Sequence, residues 1–242
     1  MSIFRTIAMF IYLFGYMIVH YGVLRRAERA LAAGDTQLVE ELVNKHIPHW
    51  SRGILKVTGV SLSVEGLENI PKDTPCVFVG NHRSYYDIPL LLASLDKPHG
   101  ILAKEELEKI PLLNRWMKLL GCVFVQRDDL RASVRALNDA TAIVESGKSF
   151  VIFPEGTREK DGKLLPPKSG LFVIAAGAGV DVVPCRILYD TPDGKMHLFC
   201  RVRVIYGEPM PAAQFAMEGR RNTKKLRANK QALLDAWEKM GA

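Results

Sequence analysis

The sequence predicts an α/β fold, a mixed and largely parallel sheet flanked by helices, with an N-terminal membrane-associated helical segment. Three observations carry that expectation. From Pro71 onward, short apolar runs alternate with helix-length segments, the pattern of strand–helix–strand units. Near the carboxyl end, Thr191-Pro192-Asp193-Gly194 sets a turn between two strand-like runs, so an antiparallel hairpin should close one edge. At the amino end, residues 6–24 hold no Asp, Glu, Lys or Arg. A chain of 242 residues can bury one substantial core. The expected division is residues 1–56 for the membrane-anchoring helical segment and 57–242 for the α/β domain.

Taken as one helix, residues 6–24 would extend about 28 Å, close to the ~30 Å of a bilayer core. A secretory leader ending at Ala30-Leu31-Ala32 is a competing reading, but Arg25, Arg26, Glu28 and Arg29 precede that point and argue against cleavage. The arginines instead mark a membrane border and keep the following chain on the cytoplasmic side. Tyr12, Gly15, Tyr16 and His20 make the run less apolar than an ordinary span. A shallow or re-entrant anchor therefore stands beside a spanning helix, and a buried helix of a soluble protein is the plain alternative. Gly34-Asp35-Thr36 opens a second helix with Asp35 or Thr36 as its cap. Leu38, Val39, Leu42, Val43, His46, Ile47 and Trp50 form one stripe along it, and Pro48 is expected to kink or end it.

Residues 60–64 alternate apolar and polar side chains and read as a half-exposed strand. Further strands are expected at 76–79, 99–103, 122–125, 149–153, 180–188 and 197–206, with helices at 87–95, 111–120, 129–146 and 169–176. Pro184 within a strand points to an edge or a bulge. The last helix, 220–240, carries Leu226, Leu233, Leu234, Trp237 and Met240 along one side and a cluster of cations in its first half. That cluster is either a solvated face or a surface for anionic lipid or an acidic carrier protein.

The net charge of +7 sits at the chain ends. Residues 1–60 hold seven Lys/Arg against four Asp/Glu, residues 201–242 hold nine against four, and the middle is nearly neutral. Basic ends on a neutral body fit an anionic membrane surface. No nucleic-acid-binding motif accompanies them, so no nucleic acid partner is expected. Cys76, Cys122, Cys185 and Cys200 are widely spaced in apolar runs. They read as buried thiols in a reducing compartment, not as disulfides or a zinc site. The sequence contains no Gly-x-Ser-x-Gly, no Walker-type loop, no complete dinucleotide glycine loop and no His-Glu-x-x-His. A serine hydrolase of the nucleophile-elbow type, a nucleotide-phosphate loop and a zinc protease all lose their support.

Ligands of such sheets collect outside the carboxyl ends of the parallel strands. The polar residues expected there are Asn81, His82 and Asp87 after one strand, Lys104 after the next, Arg127 after the third, and Glu155-Gly156-Thr157-Arg158 after the fourth. One imidazole, two carboxylates and three cations suit a base and a phosphate, not a metal. Spacing alone does not assign His82 and Asp87, since six histidines and twelve aspartates yield His-x-x-x-x-Asp by chance in about one such chain in three or four. Asp87 before Ile88-Pro89 also reads as a helix cap. In the functional reading Asp87 takes a hydrogen bond from one ring nitrogen of His82, and the other nitrogen removes a proton from an alcohol. Arg158 offers a planar fork for phosphate oxygens, Gly156 allows close backbone approach, and Glu155 either contributes directly or orients the arginine.

These residues form four ordered blocks: Asn81-His82-x-x-x-x-Asp87, Gly121-x-x-Phe124-Val125-x-Arg127, Phe153-Pro154-Glu155-Gly156-Thr157-Arg158 and Val183-Pro184. Over residues 60–206 the chain resembles the glycerolipid acyltransferases, most closely the bacterial 1-acylglycerol-3-phosphate acyltransferases. The resemblance implies that His82 is the general base oriented by Asp87. It implies that Arg127 and the block ending at Arg158 meet the glycerol phosphate, and that the N-terminal helices associate with a membrane. Gln126, Arg186 and Glu159-Lys160-Asp161 depart from the family pattern.

The resulting expectation is transfer of a fatty acyl group from a thioester to the free sn-2 hydroxyl of lysophosphatidic acid. Acyl-CoA or acyl carrier protein (acyl-ACP) would be the co-substrate, without a cofactor, at the cytoplasmic face of the cell inner membrane. Lys104, Arg127 and Arg158 would bind the acceptor phosphate. Two other classes stay open: an acyltransferase for another lysophospholipid or a lyso-ornithine lipid, and a membrane lipid-binding protein without turnover.

Overall fold

A computed structural model of the protein describes residues 3–95, 97–126, 128–158, 163–191, 197, 199–215 and 223–241. Five apolar runs form the parallel body of a seven-stranded sheet: β2 (Cys76–Gly80), β3 (Gly100–Lys104), β4 (Val123–Val125), β5 (Phe150–Ile152) and β6 (Asp181–Asp190). Two more strands, β1 (Ser61–Glu65) and β7 (Arg201–Tyr206), run opposite to these and complete the order β1-β7-β6-β2-β5-β3-β4. Every residue of β2 and β5 is buried, as befits central parallel strands covered on both faces. At the edge, β1 alternates exposed and half-buried residues. The mixed, largely parallel sheet is thus the expected one.

The hairpin is antiparallel, with Cys185 opposite Tyr206 and Asp190 opposite Arg201; turn residues 192–194 lie outside the described residues. Of the two expectations for Pro184, the edge fails and the bulge holds. β6 is an interior strand, flanked by β7 and β2. Pro184 is tolerated because the antiparallel pairing slips by one residue beside it, between the Val182–Met210 bridge and the Cys185–Tyr206 pair. Its missing N–H therefore faces the bulge, where its carbonyl accepts from Gly207 N at 2.8 Å.

Strand alternation sends side chains to two separate cores. Phe78, Val151 and Val183 pack on one face with α4 (Asp87–Ser94), α5 (Leu113–Leu120) and the N-terminal helices. Val77, Val79, Ile152 and Val182 pack on the other with α6 (Leu130–Glu145), α7 (Gly170–Ala178), α8 (Ala212–Phe215) and α9 (Thr223–Met240). The helix that follows β2 therefore lies on one face, and the helix that follows its neighbour β5 lies on the other. Chains leaving adjacent strands in opposite directions open a crevice between them.

The apolar amino end is not one helix. It divides at His20 into α1 (Ile3–Val19) and α2 (Tyr21–Ala32), bent by 54°. The His20 ring nitrogen Nδ1 lies 2.9 Å from the Tyr16 carbonyl, which also accepts His20 N. A side chain competing for the helical carbonyl loosens the ladder at that point. Among the described residues no single helix is long and apolar enough to cross a membrane, but the bent pair passes that test together. α1 leaves Phe4, Ile7, Phe10, Ile11, Phe14 and Ile18 exposed, a contiguous apolar face of a kind that soluble surfaces rarely show. α3 (Thr36–Thr58) is capped by Asp35, which accepts from Leu38 N at 3.0 Å. It runs through Pro48 instead of ending there, because Val43, Ile47, Ile54 and Leu55 are buried on both sides of the proline. The last helix is described from Thr223 to Met240, and the expected residues 220–222 lie outside the described ones.

Candidate active site

The loop leaving β2 is tied down at each step. Asn81 is buried, and its amide both donates to Ile187 O (3.2 Å) and accepts from Ile187 N (2.7 Å), extending the β2–β6 ladder with a side chain. His82 Nδ1 then lies 2.7 Å from Asp87 Oδ2. The same oxygen accepts Arg83 N at 2.7 Å and Ser84 N at 2.8 Å. Asp87 Oδ1 accepts the Tyr189 hydroxyl at 2.5 Å. Four donors on a fully buried carboxylate are the complement an acceptor-only group requires. Burial, and then the Asp87 charge, push the Tyr189 hydroxyl well above its ordinary pKa, so it remains a donor. Asp87 is the first residue of α4 and not its cap. Its oxygens face back to the preceding turn, where they fix His82.

With Nδ1–H committed to Asp87, Nε2 is the nitrogen left to accept a proton. The ring stacks on Phe153 at 4.6 Å between centroids. Phe153 comes this close because Gly80 has no side chain; a Cβ there would meet the Phe153 ring at 3.0 Å. The residues that end β2 and follow β5 are therefore fitted to one another.

The loop leaving β5 turns at Gly156, with φ of 71°, a conformation L side chains rarely adopt. Glu155 is buried, whereas Thr157 and Arg158 are exposed. Arg158 lies 3.8 Å above the Tyr85 ring and donates to its hydroxyl at 3.1 Å. The two loops thus touch twice, at His82–Phe153 and at Tyr85–Arg158. Lys168 returns to the same turn: its N–H donates to Pro154 O at 2.9 Å. A Cβ on Gly156 would meet Lys168 Nζ at 2.6 Å.

Lys104 is not gathered with these loops. Lys104 ends β3, on the far side of β5 from β2, and its ammonium bonds Glu106 at 2.5 Å. Arg127 lies outside the described residues. Tyr85, Lys168 and Tyr189 were not anticipated. Tyr85 stands within the block that holds His82, and Lys168 within the same β5–α7 connection as Arg158, so proximity in sequence was the available signal for both; Tyr189 reaches the site only through the sheet's topology. A cavity of about 640 Å³ opens at the amino ends of the strands, away from these loops, and is lined by Phe78, His99 and Ser149. There burial, and then Lys97, hold the His99 pKa down at about 4, so that imidazole is neutral.

A family model described as Acyltransferase matches residues 61–188. The chain is 44% identical over 126 residues to a chloroplastic 1-acyl-sn-glycerol-3-phosphate acyltransferase of Brassica napus, covering 52% of this chain and 36% of that protein. It is 34% identical over 137 residues to the 1-acyl-sn-glycerol-3-phosphate acyltransferase of Borreliella burgdorferi, covering 57% of this chain and 54% of the other. These matches span well under two thirds of either relative's length. The solved structure of the 1-acyl-sn-glycerophosphate (LPA) acyltransferase PlsC from Thermotoga maritima is similar over 97% of both chains, with a TM-score of 0.69 and 32% identity. Matched by the family model over half its length and by that structure nearly throughout, the chain belongs to the acyltransferase family.

Proposed function

We propose that the protein transfers a fatty acyl group from a thioester, acyl-CoA or acyl carrier protein, to the free sn-2 hydroxyl of 1-acylglycerol-3-phosphate, giving phosphatidic acid. The observation that carries this reading is the interlocking of the His82–Asp87 loop with the Arg158 loop through His82–Phe153 and Tyr85–Arg158. A base for an alcohol and a cation for a phosphate are what this acceptor needs together.

His82 Nε2 takes the hydroxyl proton as the acceptor oxygen attacks the thioester carbonyl. The new C–O bond forms, the C–S bond breaks, and the proton passes from the imidazolium to the departing thiolate. Asp87 holds the tautomer and stabilises the transient imidazolium. A thioester is already activated, so one base and good positioning suffice without an acyl-enzyme. Arg158 and Arg127 are the cations proposed for phosphate binding, with Glu155, Gly156 and Thr157 shaping the loop; Lys104, held by Glu106, is left out of that set. Residues 1–56 are the proposed anchoring segment at the cytoplasmic face of the inner membrane. The exposed apolar face of α1 supports this, and the Tyr86 hydroxyl bonded to Met9 Sδ at 2.9 Å joins that helix to the His82 loop.

The test is thiol release from acyl-CoA and from acyl-ACP by the full chain in vesicles, with lysophosphatidic acid, lysophosphatidylcholine and a lyso-ornithine lipid as acceptors. Release that depends on lysophosphatidic acid is expected. Release only with an acceptor lacking the phosphomonoester would redirect the reading. Vesicle binding with no release under any acceptor would leave a lipid-binding protein.

A further inference from the structure

Lys168 has the marks of a built anion site. Its stem lies flat across Gly156, since a Cβ added there would meet Lys168 Cδ at 3.2 Å, Cε at 2.8 Å and Nζ at 2.6 Å. Its main chain is bonded to Pro154. The ammonium is thus held over the turn by packing along the apolar stem. Two residues along the chain from Gly156, Arg158 is held by Tyr85. Among the described residues neither Lys168 nor Arg158 has a carboxylate partner, although lysines elsewhere on the surface, such as Lys104 and Lys118, are ion-paired. Two cations on one turn attract an added anion more strongly than either does alone.

We propose that Lys168 is a phosphate-binding residue of this site, forming with Arg158 an anion cradle across Gly156. The proposal rests on the acyl-transfer reading for the origin of the phosphate, which is either the acceptor's phosphomonoester or the phosphates of a CoA donor. It adds a binding residue outside the four sequence blocks. It also gives Gly156 a second reason to lack a side chain.

The experiment compares the wild type with Lys168→Ala and Lys168→Met, the latter keeping the stem over Gly156 without the charge. Acceptor and donor are varied separately. As a readout free of catalysis, the rise in melting temperature is measured in inorganic phosphate against chloride of equal ionic strength. Both variants should raise one KM about tenfold, the loss of one charge-assisted contact, with kcat within about threefold. They should also lose most of the phosphate-induced rise. The KM that moves identifies the source, acceptor or donor. Lys168→Met behaving as wild type, or kcat falling with both KM values fixed, would overturn the proposal in favour of a packing role. If the wild type released no thiol yet lost its phosphate response on substitution, the acyl-transfer reading would fall and the cradle would stand.

Discussion

The loop after β2 and the loop after β5 end side by side, yet they are finished to different degrees. Around His82 the buried side chains of Asn81 and Asp87 have been met from within the chain: Asn81 by Ile187, and Asp87 by His82, Arg83, Ser84 and Tyr189. Around Gly156 the positions are set by a turn and an aromatic face, but the charges of Arg158 and Lys168 are left unneutralised among the described residues. A proton-transfer group gains from a geometry already in place before the substrate arrives. A phosphate site gains from cations that meet nothing else first. The comparison therefore predicts a division of labour, with the first loop acting on kcat and the second on KM.

His82→Ala tests the first half most severely. The expected loss in kcat is about 10²–10⁴-fold, with circular dichroism unchanged, and near-wild-type turnover would refute the base. Asp87→Asn should lower kcat by about two orders of magnitude. It should also reduce stability by about 1–3 kcal/mol, because an amide NH₂ would face N–H donors in a buried place. Denaturant melts check the second effect. Arg158→Glu should raise the KM for lysophosphatidic acid about thirtyfold and change kcat little; a fall in kcat at constant KM would erase the division. Tyr189→Phe removes one donor from Asp87 and should cost about fivefold in kcat at neutral pH. The raised Tyr189 pKa sets the sign of its pH dependence. Its contribution to stability is complete below the unfolded value of about 10 and is lost as pH climbs through the higher folded one. The wild type and the phenylalanine variant should therefore converge only in strong alkali. Smallest is Tyr85→Ala, expected to raise the acceptor KM about threefold by freeing Arg158, the scale of an exposed cation–π contact.

Much of this division is legible in the chain itself. Strands at 76–80 and 150–152 are apolar throughout, and their helices carry ordinary periodicity, so the layers follow from local pattern. His82 and Asp87 lie within one turn of each other, which is why spacing could nominate them. The parallel pairing of β1 with β7 has no such local signature, because its partners come from opposite ends of the chain. Tyr189 was hidden for the same reason: it reaches the His82 loop through the order of strands and not through neighbouring residues. The split at His20 and the passage of α3 through Pro48 reflect a local rule overridden, once by a side chain bonding its own helix and once by burial on both flanks. The membrane role of the amino end was read from composition, and α1's exposed apolar face is the structural counterpart on which that proposal now stands.

The insertion of β5 between β2 and β3 carries a historical consequence. Base and cradle are spatial neighbours contributed by chain segments that a single insertion or recombination cannot alter together. Residues 157–168 can be recharged or lengthened while the turn at 80–87 and its clamp on β6 stay as they are. Descendants of such a chain should differ in which head group they accept well before they differ in how a proton is moved.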